Sequence, residues 1–173
     1  MYITLFTLIG LCCGSFLNVL IYRLPKNKSI IKPRSFCPKC NISIPFYRNI
    51  PILSFIIQKG NCHNCNQPIS ISYPIIEAIT AFLWFLFSYI LFNQEINPII
   101  LMDFYFSIII ISTFIPLAVI DLKYFYFPFQ LLIPVILLSL LYSSINFYSF
   151  NNSDPILGAG IAVLFLTIIY INI

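Results

Sequence analysis

Tyr2 to Tyr22 runs for a full membrane thickness without a charged side chain. About 20 apolar residues of helix cross a hydrocarbon layer of about 30 Å. Apolar runs recur over Ile75–Phe92, Ile99–Ile120, Tyr124–Phe147 and Ile156–Ile173. Lipid offers no partner to an open backbone amide, so continuous runs of this kind are expected to be helices. The expected fold class is an all-α integral membrane protein with about five transmembrane helices. Composition agrees: 60% of the residues are hydrophobic and 8% charged, against about 25% charged in a soluble domain. The first run has no basic residue ahead of it and no small-x-small cleavage site after it, so it reads as a helix and not a signal peptide.

The charges that exist are concentrated. Eight of the nine Lys and Arg lie between Arg23 and Lys59, and the ninth is Lys123. This is one basic loop rather than a basic protein, which argues against a nucleic-acid partner. Cytoplasmic loops carry the excess of Lys and Arg. The loop is therefore expected inside and the amino terminus outside. Alternation then places 93–98 outside, 121–124 inside, 148–155 outside and Ile173 near the inner face. The loop also holds Pro25, Pro33, Pro38, Pro45, Pro51, Pro68 and Pro74, a density that rules out a long helix there. Three regions follow: a first transmembrane helix over 1–22, a cytoplasmic Cys-rich loop over 23–74, and helices 2 to 5 over 75–173. No repeat stands out.

Inside the loop, Cys37 and Cys40 form one C-x-x-C pair and Cys62 and Cys65 another, with 21 residues between them. Two such knuckles let four thiolates converge on a tetrahedral zinc ion, close to the zinc-ribbon spacing. In a reducing cytosol disulfides are disfavoured. Free or redox-active thiols are the alternative. A four-cysteine site leaves no open position for substrate, so the metal would be structural, clamping a Pro-rich loop with little core of its own. Lys39 and Lys59 would soften the charge of the site. His63 reads as a solvent-facing loop residue. Cys12 and Cys13 read as packed thiols, and Gly10 and Gly14 beside them as a small-xxx-small helix contact.

Intramembrane carboxylates are functional candidates by default. Asp154 is expected in an outer loop, and Asp103 near the outer end of its span. Glu77, at the inner start of the second span, either caps that helix or faces a site. Asp121 ends an apolar run at the inner face. On chemistry alone it is either a catalytic acid or a helix-end acid paired with Lys123. Aspartyl hydrolysis needs two carboxylates that share a proton and activate a water.

GSFLNVLIYRLP (14–25), the cysteine loop, NIPILSF (49–55), ISYPIIEAITA (71–81) and AVIDLKYFYFP (118–128), in this order, resemble the type IV prepilin peptidase/N-methyltransferase family. The resemblance covers essentially the whole chain. It implies a membrane aspartyl peptidase of the bacterial inner membrane, multi-pass, with the cysteine loop cytoplasmic. Such enzymes cut the basic leader of type IV prepilins and type II secretion pseudopilins and methylate the new amino terminus with S-adenosylmethionine. It further implies that Asp121 is the first catalytic aspartate. Phe129 follows Pro128 where the family usually has Asp or Asn, and the family's G-x-G-D motif for the second aspartate is absent: Gly158-Ala-Gly160 is followed by Ile161. The chain is thus expected to be the front two-thirds of such an enzyme. Two other readings remain open. One is a non-catalytic membrane module that binds prepilins or assembly components; the other is a redox or metal sensor built on the four cysteines.

Overall fold

The computed structural model describes residues 2–93, 95 and 97–150. Within them the chain is helical: α1 (Tyr2–Arg23), the short α2 (Leu53–Ile57), α3 (Ser72–Phe92), α4 (Pro98–Tyr124) and α5 (Leu132–Phe150), with no strand beyond two isolated bridges. Among the described residues three helices are long and apolar enough to cross a membrane: Tyr2–Lys26, Ser72–Phe92 and Ile100–Tyr124. The apolar part of the fourth is shorter, Phe129–Ser144. The expected fifth span over 156–173 and Asp154 lie outside the described residues.

The chain divides into two compact units, Met1–Pro128 and Phe129–Ile173. In the first, α1, α3 and α4 pack together. Gly14 and Gly10 explain the closest approach. A Cβ on Gly14 would stand 2.7 Å from Glu77 Cα, and one on Gly10 2.8 Å from Trp84 Cβ. The small-xxx-small contact is thus real, and its partner is α3. Dispersion scales steeply with distance, so a bare backbone at the crossing maximises contact where lipid gives no hydrophobic drive. Leu91, Phe104 and Ile108 form a core that Phe6 and Trp84 flank. Phe6 meets Phe104 edge to face at 5.0 Å between centroids, and Trp84 Nε1–H donates to Ser112 Oγ at 3.1 Å. Leu5, Leu8, Phe82 and Phe114 point outward, the inverse of a soluble bundle and the arrangement lipid favours.

Two helix ends differ from the sequence reading. The second span starts at Ser72 rather than Ile75. Pro74 lies in its first turn, where a missing N–H costs nothing. The third span runs on to Tyr124, through Pro116, so Asp121 belongs to the last helical turn and not to a junction. Its start is capped by Asn97, whose side chain accepts the Ile100 N–H at 2.9 Å, with Pro98 at the first helical position.

Candidate metal centre and adjoining cleft

The loop between α1 and α3 is built on a repeat that the sequence reading missed. Cys37 N–H donates to Ile42 C=O at 3.0 Å and Asn41 N–H to Cys37 C=O at 2.8 Å. Twenty-five residues on, Cys62 N–H donates to Gln67 C=O at 2.9 Å and Asn66 N–H to Cys62 C=O at 3.0 Å. The flanking bonds repeat too, Ile44 to Ser35 at 2.8 Å and Ile69 to Gly60 at 2.7 Å. Asn41 and Asn66 both hold left-handed backbone, with φ of 57° and 54°. Asn tolerates that region better than any other residue except Gly. The signal was present as C-x-x-C-N, written twice.

The two turns bring Cys37, Cys40, Cys62 and Cys65 together, with all four sulfurs within 4.8 Å of one another. Cys37 and Cys65 stand 3.9 Å apart, far beyond a disulfide bond. Tetrahedral thiolates about 2.3 Å from a metal have edges of about 3.8 Å. The cluster is therefore compatible with a zinc knuckle. Cys37 and Cys62 are buried, and Cys40 and Cys65 half-buried. The turn geometry aims amides at the sulfurs, which favours thiolates. The N–H groups of Cys65 and Asn64 hold Cys62 down to about 6, and that of Ile42 lowers Cys40. At Cys65 the Gln67 N–H pulls the same way, but desolvation and the neighbouring sulfurs push the thiol up to about 11. Four thiolates this close repel, and a divalent cation removes that conflict. Among the described residues no His, Asp or Glu joins the cluster. His63 is half-buried, and Lys39 and Lys59 are exposed.

Arg23 ties the loop to α1. It is only 4% exposed. Its guanidinium donates to the carbonyls of Ser29 at 2.8 Å, Pro33 at 2.6 Å and Arg34 at 3.3 Å, and lies 5.9 Å from the centre of the Phe36 ring. As a charge count Arg23 marked only the end of a span. A planar five-donor fork is what lets it gather a loop as well. Asn18 ties α1 to the start of α3, donating to Gly14 C=O at 3.3 Å and to Tyr73 C=O at 3.1 Å.

Between the knuckles and the loop-side turns of α1 and α3 lies a cleft of about 360 Å³. Glu77 stands on its floor. It is past the first turn of α3 and so does not cap that helix; its side chain lines the cleft. Its Oε2 accepts the Ile52 N–H at 2.7 Å. Ile52 has φ 58°, a costly conformation for a β-branched residue, of order 1–3 kcal/mol. The carboxylate thus pins a strained turn at the start of α2. Ser54, one residue into α2, lines the same cleft with a buried hydroxyl.

Asp121 is exposed in the last turn of α4 and does not line the cleft. Its carbonyl accepts the Phe125 N–H at 2.9 Å. Among the described residues its side chain forms no ion pair with Lys123. The Trp84–Ser112 bond fixes α3 and α4 as antiparallel neighbours with the Leu91–Phe104 packing. Asp121 therefore sits at the same end of the helices as the cysteine loop. Asp103 is exposed near the other end.

A family model described as Bacterial Peptidase A24 N-terminal domain matches residues 8–92. The chain is 33% identical over 167 residues to a Prepilin leader peptidase/N-methyltransferase of Klebsiella pneumoniae, covering 93% of this chain and 70% of the relative. Proteins of the same description in Myxococcus xanthus and Vibrio cholerae are 35% and 36% identical over 161 and 154 residues. Those matches cover 90% and 84% of this chain and 44% and 58% of the relatives. The chain thus spans about half the length of the first curated relatives it matches. No solved structure matches it.

Proposed function

The chain belongs to the prepilin leader peptidase/N-methyltransferase family, and from that premise we propose that it processes prepilins and pseudopilins at the cytoplasmic face of the bacterial inner membrane. The processing has two steps: cleavage of the basic leader, and methylation of the new amino terminus with S-adenosylmethionine. The observation that carries the reading is the convergence of four cysteine sulfurs in a loop held against α1 and α3, within the segment that the family model matches. In this reading the metal is zinc and its task is structural. Four thiolates fill its shell and leave no position for a substrate.

Asp121 supplies one carboxylate of the peptidase. Its place at the loop end of α4 suits a substrate whose leader is basic and cytoplasmic and whose apolar segment lies in the bilayer. The concentration of Lys and Arg in 23–59 supports a cytoplasmic loop. Cleavage also takes a second carboxylate, to share a proton with Asp121 and activate water. Residues 1–173 contain no G-x-G-D.

The test is the intact mass of a prepilin co-expressed with the chain and with Asp121→Asn. With the second carboxylate supplied in trans, the reading predicts loss of the leader and gain of one methyl group. Asp121→Asn should lower cleavage by a factor of at least about 100. Leader removal that persists in Asp121→Asn would refute the assignment. An untouched prepilin that still co-purifies with the chain would support the binding-module reading instead.

A further inference from the structure

Leu53, Ile56 and Ile57 fall at i, i+3 and i+4 of the short helix α2 and make one stripe along it. The stripe turns away from the protein. Ser54 and Phe55, off the stripe, line the cleft, whereas Ile56 is 64% exposed, Ile57 is 70% exposed and Leu53 is exposed beside them. Close by are Phe46, 76% exposed, and Tyr47, also exposed, whose rings meet edge to face at 5.6 Å between centroids. The Gln58 side-chain amide donates to Arg48 C=O at 3.2 Å and so holds this aromatic turn against the end of α2. Tyr47 and Ile57 line one depression together with Arg48 and Lys59. An exposed apolar patch with a polar rim marks a contact surface.

Two observations say what covers it. The first is depth. The Ile52 N–H at the start of α2 donates to Glu77 Oε2. Glu77 is the sixth residue of α3, about 7.5 Å along a helix apolar enough to cross a membrane. α2 is therefore pinned beside the end of a span, where hydrocarbon gives way to headgroups. The second is charge. Residues 23–74 carry eight Lys and Arg and no Asp or Glu. An apolar stripe with a basic rim is the pattern of a segment lying in the interface of an anionic bilayer. A second copy of the chain would bring one basic rim against another, which like-charge repulsion disfavours. We propose that α2 and the Phe46–Tyr47 turn form an interfacial anchor. Leu53, Ile56 and Ile57 enter the acyl boundary of an anionic lipid surface, and Arg48 and Lys59 hold its phosphate headgroups. One face of α2 then meets lipid while the other walls the cleft. The anchor does not depend on the processing reaction.

The test is photocrosslinking to lipid. The full chain, with p-benzoylphenylalanine in place of Ile57, is embedded in nanodiscs of equal parts phosphatidylglycerol and phosphatidylcholine, irradiated and weighed intact. A second chain carries the probe in place of Leu5, which is exposed near the other end of α1. Adducts at position 57 should favour the anionic lipid at least about fivefold, the effect of one cation near a charged surface. Those at position 5 should show less than about twofold preference. Arg48→Gln combined with Lys59→Gln should bring the preference at 57 down to that level. No lipid adduct at 57 overturns the proposal, and so do equal yields of the two lipids there. The same probe irradiated in cells should also yield lipid adducts; an adduct to a second chain or to another protein in their place overturns it. If the double variant does not fold, the comparison of positions 57 and 5 decides by itself: equal preference at both overturns the anchor.

Discussion

Arg23 works as a loop organiser because its donors are spread over a rigid plane. Three carbonyls from Ser29, Pro33 and Arg34 converge on it. A lysine puts all its donors on one nitrogen and cannot reach that spread. Arg23→Lys should cost about 1–3 kcal/mol. It should also speed tryptic cleavage after Lys26 and Lys28 several-fold relative to the unmodified chain. Equal cleavage rates would mean that the loop start is held by other contacts. This role was not legible in the sequence, where Arg23 is one of eight loop cations. The same holds for Ser54 and for the Ile52–Glu77 bond, which joins residues 25 apart. No local pattern announces a buried hydroxyl or a carboxylate turned toward a loop. The four cysteines were legible because their chemistry and spacing are both local to each pair.

The α1–α3 crossing rests on the absence of side chains. Gly14→Val would drive methyl groups into the backbone at Glu77, where even a Cβ would lie 2.7 Å from the Glu77 Cα. Overpacking of this kind costs about 1–3 kcal/mol, so the thermal midpoint in detergent should fall by several degrees. Leu8→Val, on the outward face of the same helix, should change it little. A midpoint unmoved by Gly14→Val would contradict the close approach. Sequence reading found this pair of glycines and the three long spans, since composition over a helix length is a strong signal. Helix ends were harder to place. Pro74 counted with the loop prolines, yet it lies in the first turn of α3, and Pro116 is carried inside α4. Proline signals a lost hydrogen bond, and neighbouring helices decide whether the helix survives it.

As a whole, the unit Met1–Pro128 is a membrane helix trio with a loop clamped at one end. The repeat in that loop explains how a short, proline-rich segment can be ordered. Each C-x-x-C-N turn makes its own backbone bonds, and the sulfurs join the turns. The second knuckle also needs Gly60, at φ 71° and with the Phe55 ring 3.2 Å from where a Cβ would stand. Cys37 and Cys62 line the cleft that Glu77 and the strained Ile52 turn share.

X-ray absorption at the zinc edge, on the purified chain with its metal content counted, therefore tests the account most directly. It predicts one zinc per chain, bound by four sulfurs at about 2.3 Å, and loss of that signal in Cys62→Ser. A chain without zinc and with Cys37–Cys40 and Cys62–Cys65 joined as disulfides would contradict it, as would a shell of nitrogen and oxygen.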